Sequence, residues 1–150
     1  MAVMEAKSRC NVLCVDDSAA TLAGMEQVLS GFFNVRTTTS APVALRLLER
    51  ERYHVVCADW QLYGTSGIEL FRAISKKALA LTPCFILVTS RTDQLLDPSF
   101  DLDRKSLGIL RKPYAVSELI ARVHQFAALA KLKESSGKLR AALKVGGSGG

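Results

Sequence analysis

Long apolar runs are missing from this 150-residue chain. None approaches the roughly 20 apolar positions that a membrane-spanning helix needs. The first residues, MAVMEAKSR, lack the continuous apolar stretch of a secretory signal, so the sequence reads as cytoplasmic. Cysteine is sparse, at Cys10, Cys14, Cys57 and Cys84, with no CxxC pair. Each lies in or beside an apolar run, as expected of reduced thiols serving as small hydrophobes rather than of disulfides or metal ligands. The pattern GxxxxGK[ST] is also absent, which excludes a P-loop nucleotidase. The two histidines, His54 and His124, fall on a strand start and a helix, away from the acidic clusters, and read as structural.

What is present is a globular composition, 49% hydrophobic and 23% charged, of a size for one domain with a real core. The net charge of +6 is unevenly placed. Five basic residues (Lys131, Lys133, Lys138, Arg140 and Lys144) face Glu134 alone near the C-terminus, while the preceding 130 residues are almost neutral. Such a run reads as a solvated helix face or linker before it reads as a nucleic-acid or membrane contact. We divide the chain into a domain over residues 9–131 and a basic tail over 132–150 that ends in flexible GGSGG.

Strand-like and helix-like segments alternate. Cys10–Val15 is a buried strand that ends in Asp16 and Asp17, and Ser18 is placed to cap a helix carrying Leu22, Met25 and Leu29. Phe33–Thr38 alternates and suits an edge strand. Ser40 and Pro42 open a second helix with Leu45, Leu47 and Leu48. His54–Ala58 is a third strand leading into Asp59, followed by a loop with Gly64 and Gly67 and a helix carrying Ile68, Phe71 and Ile74. Cys84–Val88 is a fourth strand ending at Thr89. Residues 91–106 contain Pro98 and several aspartates, and suit only a short or broken helix. Leu107–Leu110 is a fifth strand before Lys112-Pro113. A last helix buries Leu119, Ile120, Val123, Ala127 and Ala130, and Ser135-Ser136-Gly137 interrupts its pattern. This alternation predicts an α/β fold: a five-stranded parallel sheet in flavodoxin-like order 2-1-3-4-5, with helices on both faces.

Four of the five strands therefore end in polar groups suited to one task. Asp16 and Asp17 end the first, Asp59 the third, Thr89 the fourth and Lys112 the fifth. Three carboxylates at one sheet edge repel one another unless a cation joins them, and a hard divalent ion such as Mg²⁺ suits such donors. With a lysine point charge and a threonine hydroxyl, the set is suited to holding a transferring phosphoryl group beside a nucleophilic aspartate. A flavodoxin would need a Ser/Thr-rich phosphate loop where Asp16 and Asp17 stand. A haloacid-dehalogenase-type phosphatase would need an aspartate where Gln61 stands.

Over residues 9–131 the sequence resembles the receiver domain of two-component response regulators. The matching pieces are Val15-Asp16-Asp17, Asp59-Trp60-Gln61 with Gly67 beyond, Val88-Thr89-Ser90, and Lys112-Pro113. The resemblance implies that Asp59 is the phosphoacceptor, supplied by a histidine kinase, a histidine phosphotransfer protein or acetyl phosphate. It also implies Mg²⁺ held by Asp17 directly, Asp16 through water, Asp59 and the Gln61 carbonyl. Thr89 and Lys112 then hold phosphoryl oxygens, and the bond before Pro113 is cis. Gln61 and Arg91 occupy positions that tune dephosphorylation in this family. The protein is then a signalling receiver, not an enzyme acting on a separate substrate. Its output partner is unassigned and homodimerisation is left open. Trp60 is expected as a partly exposed wall of the site.

Two departures stand out. Leu62-Tyr63 replaces the proline-containing pair usual after the phosphoacceptor. Ile109 stands where the family usually has the aromatic that swings inward with the threonine. Isoleucine has no ring to rotate, so the alternative reading is a receiver-like docking module that works without phosphorylation.

Overall fold

The computed structural model describes residues 9–90 and 107–147. The expected broken helix over 91–106, with Arg91, lies outside the described residues. In chain order the elements are β1 (Asn11–Val15), α1 (Ala19–Leu29), β2 (Asn34–Thr38), α2 (Ala41–Arg50) and β3 (Val55–Asp59). There follow β4 (Gln61–Leu62), β5 (Thr65–Ser66), α3 (Gly67–Ser75), β6 (Cys84–Thr89), β7 (Leu107–Arg111) and α4 (Val116–Gly147).

Five strands form one parallel sheet in the order β2-β1-β3-β6-β7, with β2 at an edge. This is the expected 2-1-3-4-5 arrangement. Alternate residues of each central strand point to opposite faces, and each face has its own core. Val12, Cys14, Val55, Cys57, Cys84 and Ile86 pack with α1 and α4, whereas Leu13, Val15, Val56, Ala58, Phe85 and Leu87 pack with α2 and α3. Strands buried on both sides must be apolar throughout, which is why β1, β3 and β6 read as continuous hydrophobic runs. All four cysteines are buried free thiols.

Helix starts follow local chemistry. The hydroxyl oxygens of Ser18, Ser40 and Ser66 accept hydrogen bonds from Thr21 N, Val43 N and Glu69 N, each satisfying one otherwise unpaired N–H of the first turn. On β7, Gly108 lets the Phe126 ring of α4 lie flat on the strand: a Cβ there would come within 2.0 Å of the ring.

Three sequence expectations are corrected. The Gly64 loop is a small antiparallel ribbon, β4–β5, turned at Gly64 with φ +75°, a left-handed backbone that glycine adopts without penalty. Trp60 is buried in the α2/α3-side core, in the same cluster as Leu62 of the ribbon, and is not a partly exposed wall. Finally, α4 does not break at Ser135-Ser136-Gly137 but runs unbroken to Gly147. A glycine inside a helix costs only about 1 kcal/mol, and Glu134 one turn earlier is tied to Arg52 at 3.1 Å.

Candidate functional site

The carboxyl ends of the parallel strands place the polar residues in register. β3 pairs with β6 so that Asp59 lies opposite Val88, and β6 pairs with β7 so that Thr89 lies opposite Arg111. Trp60 N donates to Val88 O at 2.8 Å and Lys112 N donates to Thr89 O at 2.8 Å, which extends the ladder past the strand ends. The Lys112-Pro113 bond is cis, as expected.

From this framework Lys112 Nζ reaches Asp59 Oδ1 at 2.9 Å and Asp16 Oδ2 at 4.0 Å. Two carboxylates thus share one ammonium. Asp16 is buried and its Oδ1 accepts the Ser18 N–H at 2.8 Å. Burial raises its pKa above the ordinary value, and the Asp59 and Asp17 charges add to that rise against the Ser18 N–H and Lys112. Burial alone would lower the Lys112 pKa, but the hydrogen bond to Asp59 and the charges of Asp59 and Asp16 outweigh it and raise it. Thr89 is buried at the end of β6.

Asp17 follows in the chain, and its charge acts on Asp16. It is exposed, and its Oδ1 accepts the Tyr63 N–H at 2.8 Å. Gln61 is exposed on β4. Beside Asp17 opens a cavity of about 540 Å³ lined by Thr39, Ser40, Ala41, Pro42 and Tyr63. Sequence reading missed one contributor here and the physical reason for another. Tyr63 acts through its backbone N–H, which any residue could supply, so its side chain carried no signal. Gly67 matters by what it lacks: a Cβ would lie 2.4 Å from Asp59 O and 2.7 Å from Leu87 Cδ1.

Among the described residues no group of three His, Cys, Asp or Glu side chains is placed to hold a metal ion by itself. Mg²⁺ does not need one, because it takes one or two carboxylates and keeps several waters. The buried Asp16 carboxyl, pushed up by burial and by neighbouring acids, is the kind of under-neutralised oxygen donor that such an ion satisfies. The donor set fits.

Comparison with known proteins gives the family and the fold. Residues 12–124 match the family described as response regulator receiver domain. A curated relative, the probable cyclic di-GMP phosphodiesterase of Vibrio cholerae, is 27% identical over 121 residues, covering 81% of this chain and 27% of its own length. The cell cycle transcriptional regulator CtrA of Caulobacter vibrioides is 29% identical over 136 residues, covering 90% of this chain and 55% of its own. The chain therefore spans about half of one relative and about a quarter of the other. Among solved structures, a CheY-like receiver domain from Methylobacillus flagellatus superposes with a TM-score of 0.68 at 22% identity, covering 79% of this chain and 99% of that one.

Proposed function

The chain belongs to the response regulator receiver domain family, and from that membership we propose that Asp59 is its phosphoacceptor, working with Mg²⁺ in a two-component system or phosphorelay. The observation that carries the proposal is the single Lys112 ammonium between Asp59 and Asp16, 2.9 and 4.0 Å away. Such a charge neutralises the nucleophile's surroundings and can then pair with an incoming phosphoryl oxygen.

In the proposed step an Asp59 carboxylate oxygen attacks phosphorus. The bond from phosphorus to the donor's imidazole nitrogen (or to an acetyl oxygen) breaks, and its electron pair stays with the donor. Asp59 becomes an acyl phosphate. Asp16, Asp17, Asp59 and the Gln61 carbonyl would hold Mg²⁺, which would neutralise charge on the phosphoryl oxygens. Lys112 pairs with one of those oxygens and the Thr89 hydroxyl donates to another. A histidine kinase or phosphotransfer protein as donor supports a cytoplasmic reading of the protein. Among the described residues, no helix is long and apolar enough to cross a membrane.

The test is acetyl phosphate labelling with and without Mg²⁺, beside Asp59→Asn, read by intact mass. One added phosphoryl group is expected in the wild type with the metal, and none in the variant. No labelling under any condition, even from a co-expressed histidine kinase, would favour the docking reading that Ile109 supports.

A further inference from the structure

We propose that the groove between the extension of α4 and the segment leading into β6 binds a small phosphate-bearing ligand, of the class of a mononucleotide. The groove lies at the amino end of the sheet, opposite Asp59, and its test needs neither Mg²⁺ nor phosphorylation.

The groove exists because α4 outruns its own domain. Up to Ala130 the helix packs on the sheet through Leu119, Val123, Ala127 and Ala130. One turn on, Glu134 reaches Arg52 at 3.1 Å and His54 at 3.8 Å, which holds the extension beside the start of β3. Residues 79–82, just before β6, form the facing wall. Between them opens a space of about 510 Å³. Small-molecule sites run from roughly 300 to 1,000 Å³.

The lining has two parts, and each selects part of the ligand. Leu79, Leu81 and Ala141 are apolar, and Gly137 leaves the helix backbone bare, since a Cβ there would meet no atom within 4 Å. Such a surface takes the flat face of a ring system. Arg52, Lys133 and Lys138 supply charge, and among the described lining residues Glu134 is the one acid. Three cations against one carboxylate leave a formal excess of two positive charges, complementary to a phosphomonoester dianion. Lys138 is exposed and makes no ion pair among the described residues. A membrane or a nucleic-acid backbone spreads its phosphates over a broad basic face. Here the cations border a single recess, which favours a small ligand.

Isothermal titration calorimetry of the full chain with AMP, adenosine and inorganic phosphate, in EDTA at low salt, tests this. AMP should bind with a sub-millimolar dissociation constant, and adenosine and phosphate at least about tenfold more weakly. Lys138→Gln, which removes the charge, should weaken AMP binding about tenfold. Gly137→Leu fills the groove with a better helix former, so it should abolish binding and leave the far-UV circular dichroism unchanged. No AMP binding by the wild type at millimolar concentration would overturn the proposal. So would AMP binding that both variants retain, which would place the ligand elsewhere on the chain. Equal affinity for AMP and inorganic phosphate would also overturn it, leaving only a contact for anions in general.

Discussion

The Lys112 ammonium lies 2.9 Å from Asp59 and 4.0 Å from Asp16, so one cation serves two carboxylates at the sheet's carboxyl edge. Replacing it with methionine keeps the stem and removes the charge. The rate of acetyl phosphate labelling of Lys112→Met should fall about 10²-fold, the usual cost of losing one donor to a developing charge. Fold stability near neutral pH should fall as well, because the charge that pairs with Asp59 and Asp16 is fully present there. The raised Lys112 pKa contributes stability below the unfolded value of 10.5 and loses it only above that, outside the physiological range.

Asp16 should be a liability to the fold that function keeps. Its folded pKa is raised, chiefly by burial, above the ordinary 3.8. The native state therefore holds that proton more tightly than the unfolded chain, and stability falls as pH rises from 3.8 through the raised value. Asp16→Asn keeps an oxygen for the Ser18 N–H and removes the charge. Thermal unfolding at neutral pH should show it more stable by roughly 0.5–2 kcal/mol. Added Mg²⁺ should raise the wild-type midpoint and raise the variant's by less, and chelation should reverse both shifts.

Gly67 and Gly64 should respond differently to alanine. At Gly67 the new methyl would lie 2.4 Å from the Asp59 carbonyl oxygen, which is backbone and cannot swing aside. A loss of about 1–3 kcal/mol in denaturant unfolding is expected, with slower labelling of Asp59. At Gly64 there is open space, and the strain comes only from φ +75°. That variant should lose about 1 kcal/mol and keep its labelling rate.

His54 should make the opposite end of the sheet sensitive to acid. Its Nδ1 accepts the Asn11 N–H at 3.0 Å, so protonation there breaks the bond. Its pKa is lowered, first by burial and then by Lys131 and Arg52, against the pull of Glu134. A depressed folded pKa contributes stability that is complete above 6.5 and is lost as pH falls below it. Unfolding midpoints measured from pH 7 to 5 should drop more steeply in the wild type than in His54→Gln.

The sequence alone determined the sheet, its order and the polar residues at its carboxyl edge. Strands buried on both faces must be apolar throughout, and in β1 and β3 the change to a charged residue marks where the apolar run ends, so Asp16 and Asp59 stood out. Lys112 did so one residue past Arg111, where β7 ends. Tertiary structure decided what spacing cannot express. The Tyr63 N–H that holds Asp17 is backbone, and the carbonyl that forbids a side chain at Gly67 comes from eight residues away. Trp60 is buried in a cluster that α2, α3 and the sheet build together, a matter of packing between segments. Helix continuity through Ser135-Ser136-Gly137 was likewise out of reach of local propensity. Those residues are weak helix formers, and what accompanies their helical state is an ion pair from Glu134 to Arg52, 82 positions earlier in the chain.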